Sequence, residues 1–133
     1  IADSGANPAT FFRRSFFTFS HRKVVDAVRA GLADAGAVDG YVWDTMAKQQ
    51  PASVSGLRVA WRSAAHGFPP VVARRTWAAG EARQLADALR AMPASDEGRG
   101  ILARLNIDGF EEPRAGQFDS IRTLLRVAER AGS

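Results

Sequence analysis

The sequence has no cysteine. That excludes structural disulfides, thiolate metal sites and a cysteine nucleophile, and leaves the redox compartment open. Histidine is scarce: His21 and His66 are the only two, far apart in sequence, and no carboxylate–histidine pair has metal-ligand spacing. No phosphate-binding loop, dinucleotide fingerprint or Gly-x-Ser-x-Gly elbow occurs. No apolar run approaches the roughly 18 residues of a membrane-crossing helix. Lysine is almost missing, with only Lys23 and Lys48 among 18 cationic side chains. A charged-then-apolar leader is not present, and the chain opens on Ile1 rather than Met, so it is expected to be processed or cut from something longer.

What remains is an ordinary soluble composition: 133 residues, 46% hydrophobic and 24% charged. One domain with a real core is the default for this length. The formal charge is +4. The excess of arginine fits a generally Arg- and Ala-rich composition as well as an attraction for anions. Nucleic acid is not the expected anion, because the arginines are scattered in short pairs, Arg13-Arg14 and Arg74-Arg75, with no basic run interleaved with aromatics.

Along the chain, residues 1–10 are small and polar and read as a loop or linker. Residues 15–19 are short, aromatic and β-prone. Ser20 sits where a helix N-cap would sit. Val24, Val25, Val28 and Leu32 then recur at helical spacing, with Gly31 at the helix end. Residues 34–39 form a short apolar run suited to a buried parallel strand. A helix over Tyr41–Lys48 ends before Pro51. Residues 57–62 alternate like a strand, and another short strand covers 71–74. Leu85, Leu89 and Met92 share one helix face that stops before Pro93. Ile101, Leu102 and Leu105 follow Ser95 in a shorter helix, and Phe118, Ile121, Leu125 and Ala128 mark the last. The alternating order predicts an α/β fold with a mainly parallel sheet. Four short strands make a thin sheet for so many helices, and strands supplied by another segment are expected to complete it.

The candidate chemistry lies at the two junctions between a predicted strand and a helix. Thr18, Ser20 and His21 stand at a helix start, where unpaired amides and a partial positive charge favour an anion; Ser20 is equally suited to capping the helix and nothing more. Asp39 falls at the carboxyl end of a predicted strand, where open α/β sheets bind ligands. It is able to meet an amine or a protonated oxygen, or to cap the next helix. Tyr41 offers one hydroxyl, or a packing surface. Asp34, at the other end of that strand, suits a turn. Arg13 and Arg14 form either a bidentate anion clamp or a solvated pair. No catalytic constellation is visible, so the chain reads as a binding module and not an enzyme, with no cofactor and no metal.

Four local patterns, in order, resemble the phosphate/phosphite/phosphonate substrate-binding proteins of ABC transporters. The first is Phe17-Thr18-Phe19-Ser20-His21, followed by Val24-Val25-Asp26-Ala27-Val28 and Gly31. The second is residues 33–39, a small-residue strand ending in a polar residue. The third is Leu57-Arg58-Val59, then Ser63, then residues 68–74. The fourth is Gly109-Phe110 with residues 118–122. The resemblance implies a type II periplasmic-binding fold, with an oxyanion held between two α/β lobes. It is partial: residues 1–60 correspond to second-lobe ligand-binding structure, and residues 61–133 to a hinge return strand and helices completing the first lobe. It further implies that Thr18, Ser20 and His21 contact the oxyanion, that Asp39 and Tyr41 line the cleft, and that Ser63 lies near the hinge crossing. The implied setting is periplasmic or extracytoplasmic. The implied partners are a phosphate, phosphite or phosphonate ligand and an ABC permease, with the membrane met only indirectly through that permease and no nucleic acid. A sensor domain of a signalling protein and an effector-binding domain of a transcription regulator share this architecture and stand as alternatives.

Overall fold

A computed structural model describes residues 6–131. Six α-helices occur among them: α1 Pro8–Phe11, α2 His21–Arg29, α3 Gly40–Gln49, α4 Ala79–Ala91, α5 Asp96–Leu105 and α6 Asp119–Ala131. Short 3-10 turns at Pro51–Val54 and Met92–Ala94 follow α3 and α4. Five of the helices stand where periodicity and capping residues place them. α1 lies in a stretch expected to be loop, and its first turn closes through the Asn7 carbonyl, which accepts from the Thr10 and Phe11 amides. The first five residues of that expected loop lie outside the described residues.

The expected sheet does not form. Residues 15–19, 34–39, 57–62 and 71–74, each read as a strand, contain no strand among the described residues. The reason lies in the pairing. A strand exists only through a ladder with a neighbour, and no backbone–backbone hydrogen bond among the described residues involves positions 12–19, 33–38, 58–62 or 70–73. Apolar alternation marks a segment able to join a sheet and supplies no partner for it. The expected α/β sheet is therefore not seen here: among the described residues the structure is helical.

The chain divides into two compact units, one of described residues up to Ala65 with those from Arg122 onward, the other His66–Ile121. In the first unit, Val25 and Ala27 of α2 and Met46 of α3 are buried, and the Pro51–Val54 turn packs against both helices. Gly36 runs close over α2: a Cβ there would lie 2.2 Å from Val24 Cγ1. In the second unit the core is Leu102 of α5, with Gly98 laid directly on the Met92–Ala94 turn. Arg90 of α4 pairs with both Asp87 and Glu112. The Ser120 hydroxyl lies 3.0 Å from His66 Nδ1.

Candidate functional site

Helix α2 begins at a tight, unusual turn. Phe19 adopts φ +57°, a left-handed conformation rare for a bulky side chain and held only where surrounding bonds fix it. Here the Thr18 hydroxyl spans the turn, donating to the Ser20 carbonyl at 2.9 Å. Ser20 is extended, and its Oγ accepts from the Lys23 amide at 3.5 Å as the N-cap. The cap expectation therefore holds, and Phe19 is turned out into solvent.

Helix α3 begins in a similar way. Asp39 Oδ1 accepts from the Tyr41 amide at 2.9 Å and the Val42 amide at 3.2 Å. A carboxylate at a helix start satisfies orphan amides and complements the positive end of the helix dipole.

The two starts are joined. The Asp39 backbone N–H donates to His21 Nδ1 at 3.3 Å, across 18 residues. A neutral imidazole that accepts at Nδ1 carries its proton at Nε2, so this contact assigns the tautomer and leaves an N–H donor on the other edge of the ring. Arg22, the next residue, donates to Gln50 Oε1 at 2.8 Å, beyond the far end of α3.

Arg62 comes to the same region. Its guanidinium meets Asp44 of α3 in a two-point pair at 2.8 and 3.3 Å. The neighbouring Gly40 would place a Cβ 3.8 Å from Arg62 Nη1. The hydrogen bond and charge of Asp44 hold the already basic guanidinium still higher above its ordinary range. In the sequence Arg62 is the last residue of a segment that alternates like a strand. Nothing local links positions 44 and 62, and no signal short of the fold pairs them.

Of the six residues that the resemblance implies at the ligand site, Thr18, Ser20, His21, Asp39 and Tyr41 lie at these two helix starts. Tyr41 is the second residue of α3 and half-buried. Ser63 follows Arg62 in an exposed stretch, and its hydroxyl donates to the Ala64 carbonyl at 2.8 Å. No hydrogen bond among the described residues joins it to the others. The hydroxyl proton of Thr18 is committed to the Ser20 carbonyl, and Asp39 Oδ1 to two amides. The groups suited to donating outward are the Ser20 hydroxyl and His21 Nε2, beside the cations Arg22 and Lys23. That set binds an anion through neutral donors in a positive field. No group of three or more His, Asp or Glu side chains able to hold a metal occurs among the described residues, and no helix there is long and apolar enough to cross a membrane.

Residues 1–118 match the family model described as ABC transporter, phosphonate, periplasmic substrate-binding protein. No curated protein matches the chain. The match takes in the paired helix starts, α4, α5 and the run up to α6, which is most of the sequence. This chain belongs to the phosphonate-type periplasmic substrate-binding proteins of ABC transporters.

Proposed function

We propose that this chain belongs to the solute-binding component of an ABC importer and helps to hold a phosphorus oxyanion at the adjoining starts of α2 and α3. The carrying observation is the His21–Asp39 contact, which draws two helix N-termini together and turns a ring N–H outward. Ser20 and His21 donate to the oxyanion. Thr18 shapes the turn that presents them. Asp39 and Tyr41 stand beside the remainder of the ligand, where the carboxylate suits a phosphonate bearing an amine. Ser63 lies at the crossing between lobes.

In this reading residues 1–60 belong to the second lobe and residues 61–133 to the return segment and the helices of the first. The β-prone segments become strands once a complete sheet surrounds them, giving the α/β architecture of the family. The ligand is phosphate, phosphite or a phosphonate, the partner is a permease, the setting is periplasmic, and the role is capture without catalysis.

Calorimetric titration with phosphate, phosphite, methylphosphonate, aminoethylphosphonate and sulfate tests this reading. One phosphorus oxyanion should bind selectively, and the double variant Ser20→Ala, His21→Ala should weaken it by at least about tenfold, as expected for losing charge-assisted hydrogen bonds, with the helical circular dichroism unchanged. Unaltered affinity in that variant would remove these two residues from the site.

A further inference from the structure

Helix α3 carries a carboxylate on the face that leads to its open start. Asp44 lies one turn after Gly40, the first residue of the helix, so the two share a face. A helical side chain also leans back toward the N-terminus. An uncompensated carboxylate there would repel an anion at the adjoining starts of α2 and α3. Asp39, the other carboxylate nearby, has Oδ1 committed to the Tyr41 and Val42 amides. Asp44 is met by a guanidinium instead: Arg62 Nη2 donates to Oδ1 at 2.8 Å and Nη1 to Oδ2 at 3.3 Å. The same Nη1 would lie 3.8 Å from a Cβ on Gly40, so the guanidinium extends from Asp44 over the first turn of α3. The preceding residue, Asp39, donates its amide to His21 Nδ1 at 3.3 Å. Imidazole and guanidinium therefore approach neighbouring residues of one helix start.

The pair with Asp44 uses two N–H groups of the guanidinium, fixes its plane and leaves the others to donate. Arg22, next to His21, is directed elsewhere, to Gln50 beyond the far end of α3. The position of Arg62 also agrees with a completed sheet. Arg62 ends the segment 57–62 and Asp39 ends the segment 34–39, both expected as strands, and open α/β sheets take their ligands at the carboxyl ends of strands. Pairing along those segments would engage their backbones and leave that edge to the ligand. Ser20 and neutral His21 donate without a full charge, so alone they discriminate weakly between oxyanions of one and two charges; a guanidinium discriminates strongly. We infer that Arg62, held by Asp44, is a further ligand-binding residue of this site and makes it select a doubly charged phosphorus oxyanion over a singly charged one of the same shape. This rests on the oxyanion reading of the α2 and α3 starts and adds the charge class of the ligand.

Calorimetric titration in mildly alkaline buffer with two matched pairs of anions tests it: phosphite against hypophosphite, and methylphosphonate against methylphosphinate. Within each pair the shape is nearly constant and the second anion carries one charge fewer. The parent chain should bind at least one of the dianions about tenfold or more tighter than its singly charged partner, and Arg62→Gln should lose about tenfold or more of the dianion affinity while changing the monoanion affinity little. The charge-swapped variant Arg62→Asp with Asp44→Arg separates a ligand contact from a structural one. It restores an ion pair between the two positions, so helical circular dichroism and melting temperature should stay near those of the parent, while the preference for the dianion should stay lost. Recovery of that preference in the swapped chain would overturn the inference by making the pair a structural tie alone. Parent-like selectivity in Arg62→Gln would overturn it too and leave the oxyanion reading intact. A folded parent chain that binds neither dianion would overturn both.

Discussion

The two units close and open their helices with the same devices but use side chains differently beyond them. α2 ends in a Schellman motif: the Gly31 amide donates to the Val28 carbonyl and the Leu32 amide to that of Ala27, with Gly31 at φ +72°. α5 repeats it with Asn106 in the left-handed position at φ +56°, its amide donating to Ala103 and that of Ile107 to Leu102. Both units cap helix starts with Ser or Asp. In the first unit, however, polar side chains reach across the sequence, His21 to Asp39, Arg22 to Gln50 and Arg62 to Asp44. In the second unit most ion pairs are one turn apart, Arg90–Asp87, Arg99–Asp96 and Arg114–Glu111, as is Arg29–Asp26 in the first, and the longer-range polar contacts of the second unit include Arg90–Glu112 and His66–Ser120. Local pairs support a helix that would form in any case. Long-range pairs fix where one element stands against another, and that is the requirement of a binding site.

The closest contact in each unit offers the sharpest way to test the contrast. A Cβ on Gly98 would lie 2.0 Å from the Met92 carbonyl oxygen, with further Met92 backbone atoms within 2.8 Å. Backbone cannot move aside, so Gly98→Ala must displace α5 from its turn and should cost about 3 kcal/mol. At Gly36 the obstacle is a side chain, Val24 Cγ1 at 2.2 Å. Gly36→Ala should cost about 1.5 kcal/mol, and Val24→Ala in the same chain should recover part of it. Urea denaturation followed by circular dichroism measures both. If Gly36→Ala proved as damaging as Gly98→Ala and Val24→Ala gave no relief, residues 34–39 would be held by more than their contact with α2.

The same division, local against long-range, explains how much could be read in the sequence. Five helices were legible because 3.6-residue spacing, Ser20 and Ser95 as caps, and Gly31 and Pro93 as stops are written within each segment. α1 was missed because four residues are too few to show a period. The expected strands stand unpaired here because period-two alternation reports an ability to pair, while pairing depends on residues elsewhere. At the site, Ser20, His21 and Asp39 were picked out one by one as helix-start residues. Their meeting was not legible, since a hydrogen bond between positions 21 and 39 depends on how the chain returns. The Arg62–Asp44 pair was invisible for the same reason. The left-handed Phe19 was hidden by its side chain, which belongs to strands by preference.

The helix caps give a second, smaller test. Asp39 accepts from two amides and carries charge at the start of α3, whereas Ser95 accepts from one, that of Gly98 at 3.0 Å. Asp39→Ala should cost about 1.5 kcal/mol and Ser95→Ala about 1 kcal/mol. The two differ further in reach. Loss of the Asp39 cap loosens the backbone amide that holds His21, so the His21 ring signals should shift in NMR spectra of Asp39→Ala and stay fixed in Ser95→Ala. Unmoved His21 signals in Asp39→Ala would mean that the ring is positioned without its partner.

The smallest effect concerns Arg62. Its pair with Asp44 has the two-point geometry that makes an ion pair specific, yet both side chains are more than half exposed. Water and salt screen such a pair, and its contribution to stability stays small. Arg62→Gln should therefore lower stability only slightly in dilute buffer, and the difference should disappear near 1 M salt, where the Debye length falls to about 3 Å. A double-mutant cycle with Asp44→Asn isolates the coupling. A large coupling that persists in high salt would show that the pair is shielded from solvent, and residues 57–62 would then be docked firmly on α3. A small, salt-sensitive coupling would identify the pair as a positioning contact, one that selects where the segment lies without contributing much to holding the unit together.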